Sequence, residues 1–559
     1  LKTTAWHAAF CVSLLLGAGA ARAQYPAHPT TSPPIDAADL AARDKAIADD
    51  AFRGRGPGTA QGELAAAWIA EELRHAGVGP GNHGSYFQDV PAVSITLDPA
   101  LSSLSVQTSH GTLSPAVPDQ AVFWTPHYAT SEVSVAAAPL VFVGYGVVAP
   151  EYHWNDYAGA DVRGKTVVVL VNDPGNEDAN PDPAFFKGRA MTYYGRWTYK
   201  FEEAQRQGAA AVLIVHETVP AAYGWQVVRN SNSGPKLWLG DPGDNEDKPT
   251  IEGWITRATA EDLFARAGLN YAAMKKAANK PGFRAVEMPG ETLTATAHSR
   301  VTYVSTRNVV GLIPGREKPD EVFLYTAHWD HLGEKPGLPG ADKIYNGAVD
   351  DGMGVAGVLE IAEAFARAGA APRRSVAFAF WTLEEQGLLG SQYFADHPIW
   401  KPRQIVGAIN IDVLMPQGLT HDLTVVGNGA SQLEDVLRPV LAQDHRVIAP
   451  DPHPERGSFY RSDHLSLAKI GVPVLYLHSG VDLLKGGRAA GMANYETYET
   501  KFYHQPTDEF NPSWDLSGPV ADLQVAYRVG RIVADGSGWP DWYAGSEFKA
   551  ARDRSRAGE

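Results

Sequence analysis

Apolar residues recur at helical spacing between positions 60 and 76, where Ala65, Trp68, Ile69, Leu73 and Ala76 fall on one face. That pattern predicts an amphipathic surface helix. Shorter apolar runs bounded by turn residues at 93–97, 140–143 and 165–171 read as strands, and a helical pattern over 201–207 leads through Gly208 into a buried-strand run at 211–215. From Arg307 onward the texture changes. Candidate strands at 308–313, 322–327, 375–381, 406–411, 423–426 and 472–477 alternate with helical stretches at 353–368, 431–443 and 520–534. Such alternation predicts an α/β fold with a mixed central sheet flanked by helices on both faces. Ligands of such sheets bind beyond the carboxyl ends of the strands.

The first residues add an export expectation. Lys2 precedes an apolar run over 8–20, and the small residues Ala21 and Ala23 follow, which reads as a signal peptide over 1–23 and places the protein in the periplasm or outside the cell. The run is too short to span a bilayer comfortably and no later stretch supplies eighteen apolar residues in a row, so no membrane partner is expected. A Pro-rich linker over 24–34 follows. The single cysteine, Cys11, lies inside the signal. The mature chain then has neither disulfides nor cysteine-bound zinc, and His, Asp and Glu are left to hold any metal. At 559 residues the chain is too long for one ordinary core. Its formal charge of −16 argues against nucleic acid as a partner. The acidic stretch 241–247 lacks a glycine at the sixth position of a calcium loop and reads as a solvated loop.

Polar residues at the strand ends change the picture most. His328-Trp329-Asp330 follows the 322–327 strand, Asp350-Asp351-Gly352 opens the helix near Met353, Glu384-Glu385 follows the 375–381 strand, and Asp412 ends the 406–411 strand. His504 comes from a loop ahead of the last helix. Singly, these are ordinary residues at element boundaries. A buried cluster of them would repel itself and lose hydration unless protons or metal ions neutralised it. His, Asp and Glu without Cys favour zinc, and two zinc ions ~3.5–4 Å apart need a carboxylate shared between them.

The stretches Ala327-His328-Trp329-Asp330-His331-Leu332-Gly333, Tyr345-Asn346-Gly347-Ala348-Val349-Asp350-Asp351-Gly352, Leu383-Glu384-Glu385-Gln386-Gly387, Asn410-Ile411-Asp412 and Tyr503-His504 resemble the co-catalytic zinc exopeptidases. That family includes bacterial leucine aminopeptidase-like enzymes and the glutamate carboxypeptidase and transferrin-receptor group. The likeness spans most of 307–534, and 54–88 resembles the family's amino-terminal start. It implies two zinc ions per chain, one on His328 and Asp412, the other on Glu385 and His504, with Asp350 between them. It also implies that Glu384 is the general base toward a water shared by the ions, and that Tyr503 hydrogen-bonds the developing oxyanion. A peptide is the implied substrate, losing amino-terminal residues. Asp330, two residues from His328 in strand-like sequence, is expected to accept that imidazole's second N–H, and Asp508 to do the same for His504. Asp351 is expected to bind backbone amides rather than metal. Arg461-Ser462-Asp463-His464 is expected to wall the pocket.

Residues 130–291 resemble an inserted, β-rich protease-associated domain, through Phe142-Val143-Gly144-Tyr145-Gly146, Val162-Arg163-Gly164-Lys165 and Gln207-Gly208-Ala209-Ala210. The peptidase domain would then be split into 35–129 and 292–540, with 541–559 a carboxyl-terminal tail and the insert a lid or size filter. Three rival readings remain. A metal-free binding protein, as in the transferrin-receptor branch, would have lost ligands, yet all five positions and Glu384 are present. A glutaminyl cyclase-like enzyme needs only one zinc. A carboxypeptidase for acidic termini needs a cationic pocket, for which Arg456, Arg461, Lys485 and Arg488 are candidates.

Overall fold

Thr59 starts the first predicted helix, its Oγ1 accepting from the Gly62 N–H at 3.0 Å, and Gly77 closes it, so the helix occupies Ala60–Ala76. Its buried face carries Ala65, Trp68, Ile69, Leu73 and Ala76, the residues the periodicity singled out. The computed structural model describes residues 26–558 apart from 177–179, 233, 241–242 and 337–339. The expected signal peptide, Cys11 and the start of the linker lie outside the described residues, as does part of the acidic stretch.

The central sheet runs in the order Lys236–Leu239, Phe87–Leu97, Val286–Ile313, Arg374–Trp381, Lys318–His328, Ile405–Ile411, Val474–Ser479, Asp422–Val426 and Val447–Pro450. Arg374–Trp381, Lys318–His328, Ile405–Ile411 and Val474–Ser479 are mutually parallel, and antiparallel partners flank them on both sides. The mixed α/β architecture is therefore as the alternation predicts. Both faces of the parallel strands are covered, so their residues read as unbroken apolar runs. Phe323, Tyr325 and Phe378 pack with Trp68, Leu359, Leu523 and Val529 on one face. Leu324, Ala379 and Trp381 pack with Phe394, Leu465, Trp542 and Phe548 on the other.

Two expected boundaries fall elsewhere. The strands Ser103–Thr108 and Ala121–Trp124, assigned to the peptidase half, pair into a second sheet with Glu132–Phe142, Thr166–Leu170, Ala211–His216 and Ile251–Thr256. The long strand Val286–Ile313 belongs to both sheets: its first part pairs with Glu132–Phe142 and Ser103–Thr108, and Ser299 onward pairs with Phe87–Leu97. The second sheet thus takes strands from residue 103 to near residue 298, while Lys236–Leu239 lies at the edge of the central sheet. The segment read as a tail is packed. Trp542 is buried in the central core, and Arg552 donates to the carbonyls of Ile405 at 3.0 Å and Val406 at 3.3 Å. Among the described residues, no helix is long and apolar enough to cross a membrane.

Candidate metal centre

Three connections at the carboxyl ends of the parallel strands converge. His328 is the last residue of Lys318–His328, Asp350 sits in the irregular turn ahead of the Met353–Ala366 helix, Glu384 and Glu385 follow Arg374–Trp381, and Asp412 follows Ile405–Ile411. His504 joins them from beyond the Gly487–Lys501 helix. Leu383, Val413 and His504, each in or beside this cluster, take left-handed backbone angles, φ 59°, 61° and 56°. For a β-branched valine that conformation is costly, and such strain is held where a site is over-determined by its surroundings.

The two oxygens of Asp350 face different imidazoles. Oδ1 lies 3.2 Å from His328 Nε2, which is itself 3.7 Å from Asp412 Oδ1. Oδ2 lies 3.2 Å from His504 Nε2, which is 3.1 Å from Glu385 Oε2. Ligands ~2.0–2.1 Å from a tetrahedral zinc stand about 3.3 Å from one another. These separations fit two neighbouring zinc positions with Asp350 common to both. Asp350 Oδ2 is buried with no donor aligned on it, as expected of an atom that faces a cation. His331 is a further candidate, since its ligand atom lies within 4.8 Å of those of Asp350 and Glu385. Its Nδ1 lies 2.6 Å from Glu385 Oε1, with neither atom in an aligned hydrogen bond, so His331 and His504 both stand as candidate ligands beside Glu385.

The electrostatics demand positive charge. Burial lowers the His504 pKa, but the charge of Glu385 and the nearby Asp350 carboxylate carry it up to about 10. His328 is likewise driven well above its ordinary range, against burial, by Glu384, Asp350 and Asp412. In return Asp350 is held well below the ordinary carboxylate range despite its burial, by the neighbouring His328 and His504 imidazoles. Glu384 goes the other way: burial, then the charges of Glu385, Asp463 and Asp412, raise it well above the usual range, with His328 opposing. Two dications in place of the protons on His328 and His504 would meet the same demand.

Asp330 and Asp508 have roles other than those expected. The acceptor for His328 Nδ1 is the backbone carbonyl of Asp330, at 3.1 Å, while the Asp330 carboxylate accepts from the Glu384 N–H at 3.0 Å. The carboxylate therefore holds the turn that presents Glu384 and Glu385. Asp508 does not reach His504 through a hydrogen bond. It accepts from the N–H groups of Val349 at 3.1 Å and Asp350 at 3.2 Å, and from the Tyr498 hydroxyl at 3.2 Å. Asp351 binds backbone amides, those of His328 at 3.1 Å, Gly354 at 3.0 Å and Val413 at 3.3 Å. Ser462 donates to Asp412 at 2.5 Å, which gives the Arg461–His464 stretch a contact with a candidate ligand.

His331 stands in the Ala327–Gly333 motif, but no sequence signal marks its place beside Glu385. Gly347 leaves it room: at φ +57°, a Cβ there would lie 2.1 Å from the Asp350 carbonyl oxygen and 2.6 Å from the His331 ring.

Two cavities meet at the cluster. One of about 390 Å³ lies between the sheets, with Arg196, Trp197 and Tyr223 from the inserted unit facing Glu384, Tyr503 and His504. A smaller one of about 60 Å³ is lined by His328, Asp350, Asp412 and Glu384, together with Glu499 and Tyr495. Tyr503 and Arg461 border both, and the Tyr503 ring stacks on His504 with centroids 3.9 Å apart. Neither Arg196 nor Arg461 has an ion-pair partner among the described residues. Burial, with Arg461 nearby, lowers the Arg196 pKa to about 10.

Residues 308–527 match the sequence profile of peptidase family M28. The chain is 27% identical over 231 residues to leupeptin-inactivating enzyme 1 of Streptomyces exfoliatus, which covers 41% of this chain and 48% of that protein. It is 31% identical over 326 residues to a glutamate carboxypeptidase 2 homolog of Caenorhabditis elegans, covering 49% of this chain and 40% of that one. The chain thus spans less than half the length of these curated relatives. Among solved structures, an aminopeptidase from Aneurinibacillus sp. strain AM-1 shares the fold, with a TM-score of 0.51, 17% identity, and coverage of 90% of this chain and 95% of that one.

Proposed function

We propose, from the match of residues 308–527 to peptidase family M28, that the chain is a two-zinc exopeptidase that removes amino-terminal residues from peptides. The observation that carries the reading is Asp350, whose two oxygens each lie 3.2 Å from a different imidazole. His328 and Asp412 would hold one ion, Glu385 and His504 the other, and Asp350 both. When bound, the ions acidify a water and polarise a carbonyl. Glu384 accepts the proton of the attacking water and returns it to the leaving amine. Tyr503, bordering both cavities, is placed to hydrogen-bond the carbonyl oxygen as negative charge develops on it.

The smaller cavity supports this direction: the space of about 60 Å³ beside Glu384 is also lined by Glu499, a carboxylate outside the proposed ligand set that suits a protonated amine. The rest of the peptide would run into the 390 Å³ cavity, where the inserted unit limits its size. A second reading, removal of carboxyl-terminal residues, is favoured by Arg196 and Arg461 in that cavity. Turnover of aminoacyl substrates against amino-blocked peptides with a free carboxyl end separates the two. Under the amino-terminal reading only the former are cleaved, and Arg461→Met changes their KM little. Hydrogen bonds to a charged group are worth ~1.5–3 kcal/mol, so a carboxylate bound at Arg461 would raise KM about 10- to 100-fold in that variant and favour the second reading.

A further inference from the structure

Arg55 is fully buried, yet its guanidinium meets backbone oxygens rather than a carboxylate. Nε donates to the carbonyl of Trp329 at 2.8 Å. Nη1 donates to Ile47 at 3.2 Å and to Asn346, and Nη2 to Gly347 at 2.9 Å and Asp350 at 3.5 Å. Trp329 directly follows His328, and residues 346–350 form the turn that ends in Asp350. The backbone oxygen of Arg55 accepts from His331 N–H at 3.3 Å. One side chain therefore ties together the two segments that present the opposite sides of the cluster.

The His328 segment ends a ladder strand, with His328 opposite Trp381, whereas Asp350 and Asp351 depart from helical angles inside their turn. Between the two, the Asp351 carboxylate accepts from His328 N–H at 3.1 Å. Arg55 adds a tie to the frame through the carbonyl of Ile47, in the Ala37–Ile47 helix. Arg43 pairs with Glu72 at 3.2 Å, with Glu363 at 2.6 Å and with Glu360, joining the Ala37–Ile47 helix to the helices Ala60–Ala76 and Met353–Ala366. The neighbouring Gly54 lets the chain pass close enough, since a Cβ there would lie 2.5 Å from the Tyr345 oxygen and 2.7 Å from that of Gly333. A buried cation is expensive where a hydrophobic side chain could fill the same volume. A role in packing alone gives no reason to keep one.

We propose that Arg55 is a positioning residue that sets the separation of His328 and Asp350 through the backbone of their two segments, an inference that rests on the zinc reading above. The test uses Arg55→Lys and Arg55→Met in the full chain. Zinc dissociation constants come from chelator competition, kcat and KM from assays across zinc concentration, and the thermal unfolding of the metal-free proteins is followed alongside. An ammonium has three donors against the five of guanidinium. Arg55→Lys should weaken zinc binding about 10- to 100-fold, with kcat recovering as zinc is raised and KM unchanged. Arg55→Met should bind more weakly still. Wild-type zinc affinity in the folded fraction of either variant, even with a lowered Tm, would overturn the proposal. Should the parent chain itself bind no zinc, the zinc reading fails, and a crystal structure of metal-free Arg55→Lys decides separately. A changed His328 Nε2 to Asp350 Oδ1 distance supports the positioning role, and an unchanged 3.2 Å refutes it.

Discussion

Glu384→Gln should fold and bind zinc as the parent chain does, yet turn over peptide ~10²–10⁴-fold more slowly with little change in KM. The amide keeps the volume of the side chain and leaves the five candidate ligands untouched. The turn that presents it is fixed through the backbone, by the Asp330 carboxylate accepting from Glu384 N–H at 3.0 Å, and that bond survives the substitution. What is lost is a carboxylate able to take and return a proton. Its neighbour separates the two roles, because Glu385 stands 3.1 Å from His504 Nε2 and 2.6 Å from His331 Nδ1, both imidazoles of the cluster. Glu385→Gln should lose zinc, with activity partly restored by added metal. Zinc content measured beside single-turnover rates checks both halves. Equal zinc loss in the two variants, or near-normal turnover by Glu384→Gln, would reverse the assignment of base and ligand.

Asp350→Ala should be more severe, since one side chain serves both positions. Each ion would lose a ligand, the turn 348–352 would lose its contacts with the His328 and His504 imidazoles, and activity should fall below that of Glu384→Gln. In the metal-free protein the same variant should lower both imidazole pKa values, because Asp350 helps hold His504 at about 10 and His328 well above its usual range against burial. NMR titration of the histidines reads that directly. His504→Ala should instead spare the His328 and Asp412 position. Loss of only one ion in Asp350→Ala would mean that the carboxylate is not shared.

Most of the peptidase fold was legible because its strands are buried on both faces. The run Phe323 to Ala327 can be little but a central strand, and a His, Asp or Glu at the end of such a strand points where ligands bind. The roles of Asp330 and Asp508 were not legible. Their spacing from His328 and His504 is compatible with an imidazole partner, but the amides of Glu384, Val349 and Asp350 compete for the same oxygens and lie nearer in three dimensions. Arg55 escaped for a related reason: its partners are carbonyl oxygens, which carry no side-chain signature. Ser103–Thr108 and Ala121–Trp124 look like any other strands in sequence, and only pairing with Val286–Ile313 and Ile251–Thr256 assigns them to the second sheet. Trp542 and Arg552 show the same limit, since a short charged helix at the end of a chain gives no local sign that it packs on the core.

The most direct test is anomalous scattering at the zinc edge from crystals of the parent chain grown with zinc. Two peaks ~3.5–4 Å apart are expected, one beside His328 and Asp412, the other beside Glu385 and His504, with the Asp350 carboxylate spanning them. A single peak at full occupancy in a crystal whose protein is fully active, or two peaks that do not share Asp350, would contradict the two-zinc centre and the chemistry assigned to it.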